Sequence, residues 1–143
     1  LINKRKKMTA TGKCNCGKIC NDCVIKEALR RVADLAAQMR RVILESPYSG
    51  NVKENIAYAK RCVKDSLKRG EAPIVSHLLF TREGILDDKS PRQRALGIAA
   101  GHAWIAQAEL MVVYEDRGIS HGMELGMKQA TALGIQIEKR KIE

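Results

Sequence analysis

Aromatic residues are scarce in this 143-residue chain, which has one Trp, three Tyr and one Phe. Five rings over the whole length are too few for the base-stacking platform with which proteins grip single-stranded nucleic acid. Long apolar runs are also missing. None approaches the roughly 20 residues of a membrane span, so no membrane association is expected. The basic start Lys4-Arg5-Lys6-Lys7 is followed by polar residues and not by an apolar segment. It therefore does not read as a secretory signal, and the cytoplasm is the expected location. Residues 1–7, ahead of Met8, carry no functional weight. Internal repeats and low-complexity stretches are absent, which excludes repeat architectures.

Acidic residues are too few to balance the basic ones, and the net charge is +10. The excess is uneven. Residues 1–40 hold ten Lys/Arg against three Asp/Glu, and residues 41–143 hold sixteen against thirteen. The basic character thus belongs to the N-terminal segment, which could meet nucleic acid through phosphates or be a solvated end. The length suits one cored domain.

Three regions are expected. Residues 1–23 form a basic, Cys-rich segment with no apolar period. Residues 24–40 form an amphipathic helix, in which Ile25, Ala28, Val32, Leu35 and Met39 recur at 3-4-3-4 spacing. Two heptads are too short for an isolated coiled coil, so this stripe packs on its own domain or on a second copy, and a homo-oligomer is plausible. Residues 41–143 form the body. Strands are expected at Val42–Leu44, Pro73–His77, Leu110–Tyr114 and Ile135–Ile137. Helices are expected between Asn51, a capping-box start with Glu54, and Gly70; between Ser90-Pro91 and Gln107, with Trp104 on its core face; and up to Leu133, stopped by Gly134. This βαβαβαβ order implies an α/β, Rossmann-like parallel sheet of about four strands with helices on both faces.

In such a sheet, ligands bind at the carboxyl ends of the strands, in the loops that follow them. The first loop offers Pro47, Tyr48, Ser49 and Gly50, and the second offers His77. The third offers Asp116, Ser120, Gly122 and Met123, then Glu124 in the first turn of the next helix. The glycines flanking Glu124 suit a place where something approaches the backbone closely. Glu124 is either a functional carboxylate or simply an acid favoured by the helix N-terminus.

Cys14, Cys16, Cys20 and Cys23 lie within ten residues as C-x-C-x3-C-x2-C. In a reducing compartment such clustering favours metal over disulfides. Structural zinc is the first reading, with unliganded thiols or an iron–sulfur cluster as alternatives. Cys62, alone on a helix, reads as a small buried apolar residue.

The run Gly122-Met123-Glu124-Leu125-Gly126, between a strand with its loop and a helix, resembles the nucleoside 2-deoxyribosyltransferase family and its phage and bacterial relatives. Ser46-Pro47-Tyr48-Ser49-Gly50 resembles that family's first sugar-binding loop. The likeness spans about residues 41–143. It implies a nucleoside or nucleotide ligand, with the carboxylate of Glu124 attacking the anomeric carbon and expelling the base, Gly122 leaving room for the sugar and Tyr48 orienting a hydroxyl or the nucleophile. No cofactor is needed for that chemistry. The family's aspartate on the helix before the third strand has no counterpart in Gly101-His102-Ala103, although His102 could handle a proton. Gly118-Ile119-Ser120 replaces its acid shortly before the nucleophile. Three readings follow: an N-glycosidic hydrolase or transferase, a non-catalytic binder that senses or sequesters a nucleotide derivative, or a metal-and-helix module for nucleic acid or protein.

Overall fold

The computed structural model of the chain describes residues 21–143. The chain divides into a unit ending at Met39 and a unit beginning at Arg40. Of the first unit, the described part is one helix, α1 (Asn21–Gln38). Its exposed side is laced by i,i+3 and i,i+4 ion pairs among Glu27, Arg30, Arg31 and Asp34. Val24, Ile25, Leu29, Val32 and Leu35 are exposed, while Cys23 is buried. Cys14, Cys16 and Cys20 lie outside the described residues.

The second unit runs β1 (Arg40–Glu45), α2 (Val52–Lys68), β2 (Glu71–Ile74), α3 (Ser76–Phe80), α4 (Pro91–Ile105), β3 (Leu110–Tyr114), α5 (His121–Ala132) and β4 (Ile137–Arg140). The four strands form one parallel sheet in the order β2-β1-β3-β4. The α/β, Rossmann-like expectation holds. Strand β3 is an unbroken apolar run and every residue of it is buried, as a strand covered on both faces requires. On one face Tyr58 and Cys62 of α2 pack on Val42, Leu44, Val112 and Tyr114. On the other, Ile105 of α4 and Met123 and Ala130 of α5 pack on Ile43, Met111 and Val113.

Helix starts follow local signals. Asn51 accepts from the Glu54 amide, Ser90 from the Gln93 amide ahead of Pro91, and Ser120 from the Met123 amide. The capping box at α5 is closed by a thioether, since Met123 Sδ accepts from the Ser120 N–H at 3.4 Å.

Three expectations need correction. The second strand ends at Ile74 instead of His77, and Ser76 opens the short helix α3, so His77 is helical. The last strand begins at Ile137 instead of Ile135. Gly134, at φ +70°, and Ile135 donate back to Thr131 and Ala130, a paired C-terminal cap that uses Ile135 before the strand can start. Trp104 is 48% exposed and not a core residue. Helix α4 meets its neighbours through Gly101 and Ile105 instead, and a Cβ on Gly101 would stand 2.9 Å from Ser76 Cβ.

Strands β1 and β3 are adjacent, but β1 continues through α2 to β2 on one side, while β3 continues through α5 to β4 on the other. The loops leaving their carboxyl ends therefore diverge. That divergence opens the crevice in which open α/β sheets hold ligands.

Candidate functional site

A cavity of about 110 Å³ lies at this crevice, room for several water molecules. Four segments wall it. The end of β1 and its loop supply Glu45, Ser46, Tyr48 and Ser49. Helix α3 and the turn after it supply Ser76, His77, Phe80 and Thr81, and the following loop adds Leu86 and Asp88. Helix α4 supplies Gln93, Arg94, Gly97, Ile98, Gly101 and His102. The start of α5 supplies Ser120, Gly122 and Met123. An open groove beside it shares Tyr48, Thr81, Leu86, Asp88 and Gln93.

The lining is mostly apolar, with a few polar groups set into it. His77 Nε2 lies 3.2 Å from Ser46 Oγ, and the His77 ring is tilted against Tyr48 at 5.7 Å between centroids. Thr81 donates to the His77 carbonyl at 2.5 Å and closes the single turn of α3. Burial pushes His77 down to about 4, so the ring is neutral at pH 7. Burial pushes the Glu45 carboxyl the other way, up to about 8. The guanidinium of Arg94 is engaged by Asp88 at 2.6 Å.

Of the residues expected to bind a ligand, Tyr48, Ser49, His77, Ser120, Gly122 and Met123 come together here. Pro47, Gly50 and Asp116 do not line the cavity. Pro47 is buried in the loop, and Gly50 sits at φ +90° in the turn that leads into α2. Asp116 is occupied elsewhere. Its carboxylate accepts from Tyr58 Oη at 2.5 Å and from the amides of Ile142 and Glu143, and so pins the C-terminal segment. Burial opposes ionisation of Asp116, but these donors hold it below the usual carboxylate range. Glu124 stands one residue beyond Met123, outside the cavity lining. Its side chain is 55% exposed and 3.6 Å from His121 Nδ1.

Ser46, the first residue of the expected sugar-binding loop, also lines the cavity, and so do Glu45 and Arg94, which the sequence does not mark as ligand-binding, and His102, which it marks only for proton work. For Glu45 a signal was available: it is an acid that ends an apolar strand at the sheet's ligand edge. Gly126 explains how it fits. A Cβ on Gly126 would stand 2.9 Å from Glu45 Oε1 and 3.4 Å from Glu45 Cδ. The second glycine of the Gly-Met-Glu-Leu-Gly run makes space for the carboxyl of Glu45. Among the described residues no group of three His, Cys, Asp or Glu side chains could hold a metal.

A model of the family described as "Domain of unknown function (DUF7768)" matches residues 40–140. The chain belongs to the DUF7768 family. No curated protein matches it. Among solved structures, a 2-deoxyribosyltransferase from the psychrotolerant bacterium Bacillus psychrosaccharolyticus is similar at TM-score 0.57 and 14% identity, over 71% of this chain and 72% of that one. A 2-deoxyribosyltransferase from Leishmania mexicana is similar at TM-score 0.48 and 12% identity, over 73% of this chain and 65% of that one. The DUF7768 domain thus has a distant nucleoside deoxyribosyltransferase-like fold. No helix among the described residues is long and apolar enough to cross a membrane.

Proposed function

We propose that the cavity binds a nucleoside-type small molecule. One observation carries this reading. All three loops after the strands, in a fold shared with the Bacillus enzyme, deliver polar side chains to one cavity at the crevice between β1 and β3. That enzyme is described as a biocatalyst for nucleoside synthesis. Tyr48 and His77 offer ring faces for a base, and Ser46, Ser49 and Ser120 offer hydroxyls for a sugar. His77 is neutral and Arg94 is already paired, so the wall has no spare cation for a phosphate. An uncharged nucleoside suits it better than a nucleotide.

Binding is supported more directly than turnover. Attack by Glu124 on an anomeric carbon would require its exposed carboxylate to turn into the cavity. The reading is therefore capture of an intact ligand, with N-glycosidic cleavage by Glu124 as the alternative outcome of the same test. The protein is incubated with nucleosides, deoxynucleosides and their monophosphates, while thermal unfolding and released base are followed together. A ligand at about 100 times its Kd stabilises by about 2.7 kcal/mol, which gives a readable upward shift. A shift with the nucleoside recovered intact supports capture. Base release that disappears in Glu124→Ala establishes turnover instead. No shift and no release across the panel sinks the nucleoside reading.

A further inference from the structure

Helix α2 carries an uncompensated row of positive charge. Lys53, Lys60, Lys64 and Lys68 recur at spacings of 7, 4 and 4 residues. At 3.6 residues per turn they fall within an arc of about 80°, and at 1.5 Å per residue they extend over about 22 Å. All four are exposed, as is Ala57 in the gap of the row. Among the described residues none of the four takes part in an ion pair or a hydrogen bond. The acids nearby are engaged by arginines instead, Asp65 by Arg69 and Glu143 by Arg61 and Arg117. Glu54, the other acid of the helix, lies about 100° round from Lys53.

Helix α1 of the same chain shows the usual alternative, in which surface cations are laced to acids one turn away. There Arg30 and Arg31 pair with Glu27, and Arg30 also with Asp34. Along α2, Lys60, Lys64 and Lys68 meet each other at i,i+4, where like charges repel. The fold keeps this repulsion on a face that serves neither its core nor its cavity, since no residue of α2 lines the cavity.

We propose that this face of α2 docks on the phosphate backbone of duplex DNA. A duplex carries one negative charge per about 1.7 Å of its axis, so phosphates match the row along its whole length. Lysine meets phosphate as a point charge, and no Asn or Gln stands in the row to read a base edge. The contact is therefore independent of sequence. Single strands are gripped by stacking, and the one aromatic of α2, Tyr58, is fully buried. A lipid surface fits less well. A helix that beds into lipid needs a continuous exposed apolar face. Tyr58, Ala59 and Cys62 are buried, and the large apolar residues left exposed, Val52 and Leu67, sit at opposite ends of the helix. This inference does not depend on the nucleoside reading.

The test is binding of the full chain to an arbitrary DNA duplex of about 20 base pairs, followed by fluorescence anisotropy between 50 and 200 mM salt. Four phosphate contacts give a slope of about −3.6 in log K against log salt, a loss of about 150-fold over that range. Lys60→Gln combined with Lys64→Gln keeps helix propensity and is expected to make the slope shallower by about 1.8, with circular dichroism unchanged. Lys60→Arg combined with Lys64→Arg is expected to restore it. A third variant changes Lys4, Arg5, Lys6 and Lys7 to Gln, and the contribution of the α2 row is expected to persist in it. The proposal is overturned if no duplex binds at 50 mM salt, or if the Gln pair leaves the slope as it was. It is equally overturned if the N-terminal variant alone abolishes binding. Tighter binding to a single strand, or to vesicles containing phosphatidylserine, than to the duplex also overturns it.

Discussion

Gly126 and Glu45 are eighty-one positions apart, yet each sets what the other can be. A methyl at 126 would lie 2.9 Å from the far end of the Glu45 side chain, which can move aside at modest cost. Replacing glycine by alanine inside a helix otherwise stabilises by about 0.5–1 kcal/mol. Gly126→Ala is therefore expected to be near neutral in the wild type and stabilising by about 0.5–1 kcal/mol in the Glu45→Ala background. A double-mutant cycle by urea denaturation checks this, and additive effects would show that the two residues do not touch. Glu45 also links stability to pH. Its folded value is raised from 4.5 to about 8, so the folded state holds the proton more tightly than the unfolded one between those limits. The stability it contributes is complete below 4.5 and is lost as pH rises toward 8. Glu45→Gln should then be more stable than wild type at pH 9, with the gap closing on acidification.

Strand β4 is held to β2 by a buried ion pair as well as by the sheet. Arg140 gives two parallel bonds to Glu71, at 2.7 and 2.8 Å, and Ser66 of α2 donates to the same carboxylate. Both charged side chains are about 95% buried by surface, at 6% and 5% exposure. The guanidinium of Arg140 holds Glu71 below the usual carboxylate range. Removing one partner leaves the other charge enclosed, so Glu71→Ala is expected to cost about 3–5 kcal/mol. A depressed carboxylate contributes stability above its unfolded value and loses it as pH falls through the folded one. The difference between wild type and Glu71→Ala should accordingly narrow below pH ~4, which denaturation at a series of pH values would show. Neither residue announces this in the sequence, because each stands alone among unrelated neighbours. The helix caps are different. Asn51, Ser90 and Ser120 act on amides three residues away, so their roles were legible without any tertiary information.

For the whole molecule, two expectations about the first unit become proposals with direct tests. Zinc at Cys14, Cys16, Cys20 and Cys23 predicts about one equivalent by elemental analysis of reduced protein, reduced by Cys→Ser changes. Metal-free reduced protein counts against it. The exposed apolar residues Ile25, Leu29, Val32 and Leu35 of α1 lead to a proposal of self-association through that helix. Sedimentation should then show an oligomer that Leu29→Glu dissociates, and a monomeric wild type removes the proposal.

Sequence alone determined the parallel α/β architecture, because alternating apolar runs, caps and glycine stops act within a few residues of themselves. It also determined where ligand-facing loops must lie, since parallel strands carry all their carboxyl ends to one edge. What only the tertiary structure decided is which side chains share the cavity. Asp116 turned to Tyr58 and the C-terminal amides, Trp104 turned to solvent, and Glu124 stayed outside the wall. Glu45 entered it, part-buried and close to a glycine from another element. Such contacts depend on how distant segments pack, and local period and propensity carry no information about that.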